Sequence, residues 1–336
     1  MNHEKVLVIG GRGYFGQLLI EDLLANCHCE IVVGSRPLVD LRNTASLERA
    51  LSGVKVAICA AGPYQKLPTT LAQLCIDLAV HYIDLADDRE FVETVRSLPH
   101  AREARSAVCS GWSTVSALSG VLTKIASSGM THIDSIQIHM APGNQGARQA
   151  ATITSLLNSV GRRFSICRDG TWQDVVGWSE PRTFTFPAPI GARRGYLVDV
   201  PDHSIFPELF NAGTVEFRAG SELAFLNAML SLLRSTRRNW SGFGSVFQRA
   251  ASLFSWLGHS SGAVGVEVSG SVRRRVSILG ESRAQRIAVL PAAVMASALL
   301  SGRLASGVIS FKDWITEDEM RYECTRRGFR LIVEEL

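Results

Sequence analysis

Lysine is nearly missing from this chain: five of its 336 residues are Lys against thirty Arg, and 35 basic side chains face 31 acidic ones for a net charge of +4. With no lysine-rich block and so small an excess, neither a nucleic acid nor an anionic membrane surface is indicated as partner. A small molecule is the partner left open. The arginine skew is of the kind that base composition produces and carries no functional weight. Long apolar runs are missing too. The longest, Ile287 to Leu300, falls short of the ~18 to 20 residues a bilayer requires and contains Pro291. It predicts a buried helix with Pro291 in its first turn and Gly302 just past its end. There is no internal repeat. The polar start Met1-Asn2-His3-Glu4-Lys5 runs into a strand-like segment without a cleavage site, so a cytoplasmic location is expected. The seven cysteines (27, 29, 59, 75, 109, 167, 324) are odd in number and scattered, which suits reduced thiols rather than a disulfide framework. Cys27-His28-Cys29 has no second Cys/His pair at ligand spacing, so no metal is expected.

What is present is enough for a core: 46% of residues are apolar and 20% charged, a balance that predicts a globular chain of two domains. Residues 5 to 9 form an apolar run, followed by GGRGYFG, a helical pattern in QLLIEDLLA, and a second run, EIVVGSR. The alternation repeats through a helix at Leu47 to Leu51, a strand at Val54 to Ala61 and a helix at Thr69 to Ala79. A strand at Tyr82 to Leu85, a helix around Glu90 to Ser97 and a strand at Ser106 to Ser110 follow. Strands alternating with helices predict an α/β fold: a Rossmann-type doubly wound parallel sheet over residues 1–120. Beyond it the rhythm changes. Helices at Thr114 to Ala126, Ala150 to Val160 and Glu222 to Leu233 mix with strands at His132 to Met140, Thr214 to Phe217 and Val264 to Val268. Strand-like pieces and turns such as Arg168-Asp169-Gly170 fill Ser165 to Val200. This predicts a second, α+β domain for substrate and dimerisation over 121–286, with 287–336 a helical segment packing back on the first domain.

Gly11-Arg12-Gly13-Tyr14-Phe15-Gly16 fits G-x-G-x-x-G between a strand and a helix, the context in which that motif binds a dinucleotide. Gly11 is expected to permit the tight turn, Gly13 to let the backbone approach a pyrophosphate, and Gly16 to let helix and strand pack closely, with the helix N-terminus facing the phosphates. At the end of the second strand stands Val33-Gly34-Ser35-Arg36, with no acid for the ribose hydroxyls. Ser35 and Arg36 suit a 2′-phosphate, so NADP is expected over NAD. Counted as Gly10, Gly13, Gly16 the turn also fits G-x-x-G-x-x-G of extended short-chain dehydrogenases. Their Tyr-x-x-x-Lys pair is absent, because none of the tyrosines at 14, 64, 82, 196 and 322 has Lys four residues on.

With the glycine turn, Ala60-Ala61-Gly62-Pro63-Tyr64 after the third strand and Tyr82-Ile83-Asp84-Leu85-Ala86-Asp87-Asp88 later, the first 120 residues resemble the saccharopine dehydrogenase-like family of NADP-binding oxidoreductases. That family tends to carry A-G-P-[FY] and Y-x-D-x-x-G-E; here Asp87 and Asp88 replace the Gly and Glu. Gly111-Trp112-Ser113 and Leu290 to Trp314 are similar to later, less specific family landmarks. The resemblance implies a nicotinamide cofactor across the carboxyl ends of the strands, with Ala61, Gly62 and Pro63 beside it, a covering second domain and a homodimer. The reaction it implies is hydride transfer to or from a C=N or C=C bond of a small metabolite.

Hydride transfer needs a group that handles the accompanying proton. Tyr64 and Lys66, just after the Gly62-Pro63 turn, are candidates, and His81, Asp87 and Asp88 form a second candidate cluster around a short strand. In the second domain Arg148, Arg193 and Arg194 suit a substrate carboxylate, and the aromatic set from Trp240 to Trp256 suits an apolar pocket or plain packing. A non-catalytic dinucleotide-binding sensor or structural protein is the alternative.

Overall fold

The computed structural model describes residues 4–146, 157–236, 240, 258–303 and 306–336. The expected helix Ala150 to Val160, apart from its last residues, and Arg148, Phe243, Phe247, Phe254 and Trp256 lie outside the described residues. The chain forms two units, one of Met1–Leu118 with Arg286–Trp314, the other of Ser119–Gln285 with Ile315–Leu336.

In the first unit, strands β1 (Lys5–Ile9), β2 (Glu30–Gly34), β3 (Val54–Cys59), β4 (His81–Asp84) and β5 (Ala107–Cys109) alternate with helices α1 (Tyr14–Asn26), α2 (Thr44–Leu51), α3 (Thr70–Asp77) and α4 (Arg89–Arg96). A short strand from the C-terminal part, β14 (Gly307–Val308), completes a parallel sheet of order β14-β5-β4-β3-β1-β2. Val6, Leu7, Val8, Val56, Ala57 and Ile58 are wholly buried, as continuous apolar strands must be when helices cover both faces of a sheet. The chain leaves β1 toward β2 on one side and returns to β3 on the other, so the strand order reverses between β1 and β3. Such a switch point opens a crevice at the carboxyl ends of the strands, where ligands of doubly wound sheets bind. The Leu290–Leu300 helix packs against α1, β3 and β4. It has Pro291 at its start, Gly302 at φ +70° beyond its end, and almost no exposed face, which is why its sequence lacks an amphipathic period.

The second unit is α+β. Its seven-stranded sheet has the order β15-β13-β12-β6-β11-β10-β9, from β6 (Ile133–Ala141), β9 (Arg182–Thr185), β10 (Ala192–Leu197), β11 (Ala212–Ala219), β12 (Gly262–Gly270), β13 (Arg273–Gly280) and β15 (Phe329–Glu335). Only β6 and β11 run parallel; every other neighbouring pair is antiparallel. A separate hairpin joins β7 (Arg163–Arg168) to β8 (Thr171–Val176) through Asp169-Gly170, both at positive φ, the two-residue turn that matches strand twist. Its described helices include α5 (Ala117–Ala126), which starts at the border of the unit, and the segments Asp202–Phe210, Ala224–Leu233 and Glu317–Arg326.

Alternation sorts this sheet into an apolar and a charged face. Ile136 and Ile138 pair with Val215 and Phe217 on β11 and with Val268 and Val266 on β12, and all six are fully buried. On the opposite face Gln137 stands between Glu216 and Glu267, with Arg275 next in the row. Arg218 donates to Glu216 at 2.7 Å and to Gln137 at 3.0 Å, Arg168 donates to Glu216 at 2.6 Å, and Arg275 to Glu267 at 2.9 Å. Phe184 closes over this face, stacked on His139 with centroids 4.7 Å apart and beneath the Arg275 guanidinium at 4.8 Å.

The C-terminal region does not behave as one helical segment. Residues 286–314 belong to the first unit, but 315–336 belong to the second, where Phe329–Glu335 is a strand along β13. The strand satisfies the edge of β13, whose backbone donors and acceptors would otherwise lack a protein partner.

Candidate functional site

The glycine turn sits where β1 ends and α1 begins, and its constraints can be read position by position. Gly10, not Gly11, takes the left-handed conformation, at φ +81°. A Cβ on Gly10 would stand 2.7 Å from the Ala61 nitrogen and 2.8 Å from the Ala60 carbonyl carbon. The tight turn therefore depends on Gly10, and a side chain there would push the ends of β1 and β3 apart. Gly11 instead allows close packing, since its Cβ would meet Ile20 and Val33 side-chain carbons at 2.9 Å. Gly16 is the most confined: a Cβ would lie 2.3 Å from the Gly10 carbonyl oxygen and 2.7 Å from the Gly11 Cα. Gly13 is the N-cap of α1, with its N–H donated to the Gly10 carbonyl at 2.8 Å and no side chain to cap the helix. Tyr14 and Phe15 open the helix, which has no acid in its first turn. An N-terminus of this kind presents backbone donors and a positive dipole end to an anion.

Two further segments meet the turn. The Gly10 N–H donates to Gly34 at the end of β2, and the Ala60 N–H donates to Ile9. Ser35 follows Gly34 and accepts the N–H groups of Leu38 and Val39 through its carbonyl, and Arg36 is exposed, with no partner among the described residues. Ala61, Gly62 and Pro63 lead into a short turn at Tyr64–Lys66. The structure thus brings the glycine turn, Ser35-Arg36 and Ala61-Gly62-Pro63 to one edge of one sheet. Glycine where a Cβ would meet backbone and a helix start without a side-chain cap fit the pyrophosphate of a dinucleotide.

The candidate proton carriers of the first unit have structural duties. The Tyr64 hydroxyl donates to the Cys59 carbonyl at 2.7 Å and accepts the Leu85 N–H at 3.1 Å, bracing the ends of β3 and β4. Burial, with Cys59 and Asp84 nearby, pushes its phenol well above the ordinary value. Asp88 is the N-cap of α4, its carboxylate accepting the Phe91 N–H at 3.0 Å. His81 begins β4 and accepts the Ala107 N–H at 3.0 Å, whereas Asp87 and Asp88 lie beyond the other end. A strand separates them, about 10 Å long, so the three do not form a cluster. Lys66 is exposed on its turn.

Asp84 was legible only as part of a family stretch, and its task is visible here. It is fully buried at the end of β4, accepting the N–H groups of Ala86 at 2.9 Å and Gly111 at 2.8 Å, while its own carbonyl accepts the Trp112 N–H. Burial raises its carboxyl, against hydrogen bonds that favour the ionised form. The residue ties the loops after β4 and β5 together at the sheet edge where the glycine turn sits. Trp112 behind it is fully buried against Phe311 and Trp314.

In the second unit Arg194 is exposed, and Arg193 faces the Glu222 carboxylate at 3.7 Å. All seven cysteines are free, five of them buried. Among the described residues no group of His, Cys, Asp and Glu is placed to hold a metal ion, and no helix is long and apolar enough to cross a membrane.

No family model matches the chain, and no curated protein matches its sequence. Solved structures with a similar arrangement include an amine dehydrogenase from Mycobacterium smegmatis, at 10% identity over 93% of this chain and 95% of that one, TM-score 0.47. A protein of gentamicin A biosynthesis in complex with NAD is 13% identical over 99% of this chain and 97% of that one, TM-score 0.44. An inositol dehydrogenase homolog complexed with NAD+ from Azotobacter vinelandii is 11% identical over 98% and 97%, TM-score 0.40. Likeness at this level carries no functional argument, and the fold rests on the strand order described above.

Proposed function

We propose that this protein is an NADP(H)-dependent oxidoreductase of the saccharopine dehydrogenase-like kind, which moves a hydride to or from a C=N or C=C bond of a small metabolite. The observation that carries the reading is the glycine cradle at the β1/β3 switch point, where Gly10 and Gly16 each leave room that a Cβ would take from backbone atoms. NADP rather than NAD follows from Ser35 and the exposed Arg36 at the end of β2, because a guanidinium pairs with a phosphate in two-point geometry and repels no part of it. A homodimer, on the resemblance, and a cytoplasmic location, on the scattered unpaired cysteines, complete the reading.

Arg36→Ala is expected to weaken NADPH by about 1 to 3 kcal/mol, the loss of one charge-assisted contact, and to leave NADH nearly unchanged. Fluorescence titration of both nucleotides checks it, and an equal loss for both would remove Arg36 from the 2′-phosphate. One observation favours a second reading, a dinucleotide-binding protein without turnover: Tyr64 and Asp88 are already engaged in holding β3, β4 and α4. NADPH consumption with a panel of imine, carbonyl and enoyl acceptors separates the two.

A further inference from the structure

The seven-stranded sheet of the second unit ends on one side at β15, whose strand partner among the described residues is β13 alone. The backbone groups of β15 divide by residue parity. Leu336, just past the strand, donates its N–H to the Arg273 carbonyl at 3.0 Å, next in the register to Arg274 opposite Glu335. Bonded and non-bonded pairs alternate along an antiparallel ladder. Arg330, Ile332 and Glu334 therefore turn their N–H and C=O groups toward β13, whereas Leu331, Val333 and Glu335 turn theirs away from the sheet. The Arg321 guanidinium reaches the Leu331 carbonyl from that outer side, at 3.5 Å, the outer limit of a hydrogen bond. A row of outward backbone donors and acceptors is a template on which another strand can form.

Solvent-facing edge strands are commonly blunted by a charge, a proline or a bulge in their middle. The middle of β15 is Leu331-Ile332-Val333, all three half-buried, and its charges stand at the two ends with opposite sign. Arg330 is at one end, Glu334 and Glu335 are at the other. Such a strand is complementary to itself read backwards. An antiparallel copy centred on Ile332 sets Leu331 against Val333, Ile332 against Ile332 and Arg330 against Glu334. A slip of two residues either way, which keeps the outward groups paired, sets Ile332 against a charge and breaks both ion pairs. The charged face of the sheet continues in step, because Gln137, Glu267, Arg275 and Glu334 stand side by side on successive strands. Arg275 bonds to Glu267 at 2.9 Å but stays 3.9 Å from Glu334, beyond hydrogen-bond range. Arg330 bonds to Glu281 at 3.0 Å, with both side chains more than half exposed, and a pair of that kind contributes little.

We propose that two copies of this chain associate through β15, antiparallel about a two-fold axis at Ile332, so that their two sheets join into one. Leu331 of each copy exchanges both backbone hydrogen bonds with Val333 of the partner subunit, and Glu334 gains the partner subunit's Arg330. The occupant is a second copy because a two-fold axis returns the same sequence reversed, and β15 reversed offers the charge and the apolar centre that β15 lacks a partner for. Ile332, which already packs against the cluster of Phe184, Phe186 and Leu279, is covered on its open side by its own counterpart. The pairing gives a surface to the homodimer proposed above and stands without the nucleotide.

Two measurements on the full chain test this. In the first, single cysteines are placed on β15 and oxidised mildly, against a background set by the unmutated chain, whose seven cysteines are free. Ile332→Cys faces itself in a non-bonded pair, where Cα atoms lie ~4.5 Å apart, within the range a disulfide spans. Glu335→Cys, more exposed, faces Phe329 of the partner subunit and so lies ~20 Å from its own copy. An interchain disulfide is expected in most of the Ile332→Cys protein and at background level in Glu335→Cys. No disulfide through residue 332, or equal yields at the two positions, overturns the proposal. The second measurement is sedimentation, which is expected to show a dimer of the unmutated chain. Arg330→Glu, which sets like charges opposite one another at both ends, should weaken it by about tenfold, and adding Glu334→Arg should restore it to within a few-fold. A monomeric unmutated chain overturns the proposal together with the homodimer, and leaves the edge to an extended segment of another protein. A dimer without the residue-332 disulfide keeps the homodimer and removes this surface alone. NADPH titration of the unmutated chain tests the oxidoreductase reading apart from both.

Discussion

Gly16→Val is expected to lower NADPH affinity by about 100-fold or more, the largest effect of any single change in the first unit. Even the first carbon of the new side chain would sit 2.3 Å from the Gly10 carbonyl oxygen and 2.7 Å from the Gly11 Cα. Both are backbone atoms, and neither has a rotamer to escape into. The Gly10 N–H is bonded to Gly34 and the Gly13 N–H to Gly10, so relief requires that α1 move away from the turn. Overpacking of this sort costs about 1 to 3 kcal/mol of stability. The effect on the nucleotide is larger, because phosphate contacts come from the backbone that moves. Losing two charge-assisted hydrogen bonds of about 1.5 kcal/mol or more each amounts to roughly 100-fold in affinity. Nucleotide titration beside thermal unfolding measures both. A variant that binds NADPH as the wild type does would mean that the turn is not where the phosphates lie.

Acidification is expected to unfold the second unit in two stages, through His139 and then Glu216. His139 is 3% exposed under Phe184, and burial, with Arg218 and Arg182 nearby, lowers its pKa from 6.5 to about 3. As pH falls below about 6.5 the unfolded chain takes up a proton at this residue that the folded chain refuses, so stability present above that pH is lost until about 3. Glu216 behaves alike at lower pH. Burial opposes its charge, but hydrogen bonds and charge from Arg218 and Arg168 prevail and bring it from 4.5 down to about 2. Its contribution is present above 4.5 and lost as pH falls toward 2. At 1.36 kcal/mol per unit, His139 accounts for on the order of 5 kcal/mol and Glu216 for on the order of 3. They belong to one network and do not simply add. Against a net stability of ~5 to 15 kcal/mol for a domain, that is enough to decide folding. Denaturant unfolding at stepped pH checks it: midpoints should fall steadily from pH 6.5 downward, and Glu216→Gln should flatten the lower stage. Stability unchanged between pH 7 and 4 would contradict the account.

The parts of the fold that local pattern dictates were open to reading from the sequence. The β1, glycine turn, α1, β2 succession follows from a strand, a G-x-G-x-x-G turn and a helical period within thirty residues. The Leu290–Leu300 helix is bounded by Pro291 and Gly302. The β7–β8 hairpin has its turn residues at Asp169-Gly170. What was not open depends on pairings remote in sequence. Tyr64 holds Leu85, 21 residues on, and nothing near Tyr64 announces that its hydroxyl is engaged. His81, Asp87 and Asp88 are neighbours in the chain, but β4 sets them at opposite ends. Gly10 and Gly11 are alike as letters; only the approach of Ala60 and Ala61 from β3 tells which one takes positive φ. Arg273 to Gly280 begins with three arginines, and Phe329 to Glu335 ends with two glutamates, so neither displays the apolar alternation of a strand. Each is recognised by its partner strands.

The central claim is that the glycine cradle holds NADP(H), and titrating the purified protein with NADPH and NADH by nucleotide fluorescence tests it most directly. The account predicts saturable NADPH binding that is tighter than NADH binding. No binding of either nucleotide would contradict it and leave the turn a structural feature only.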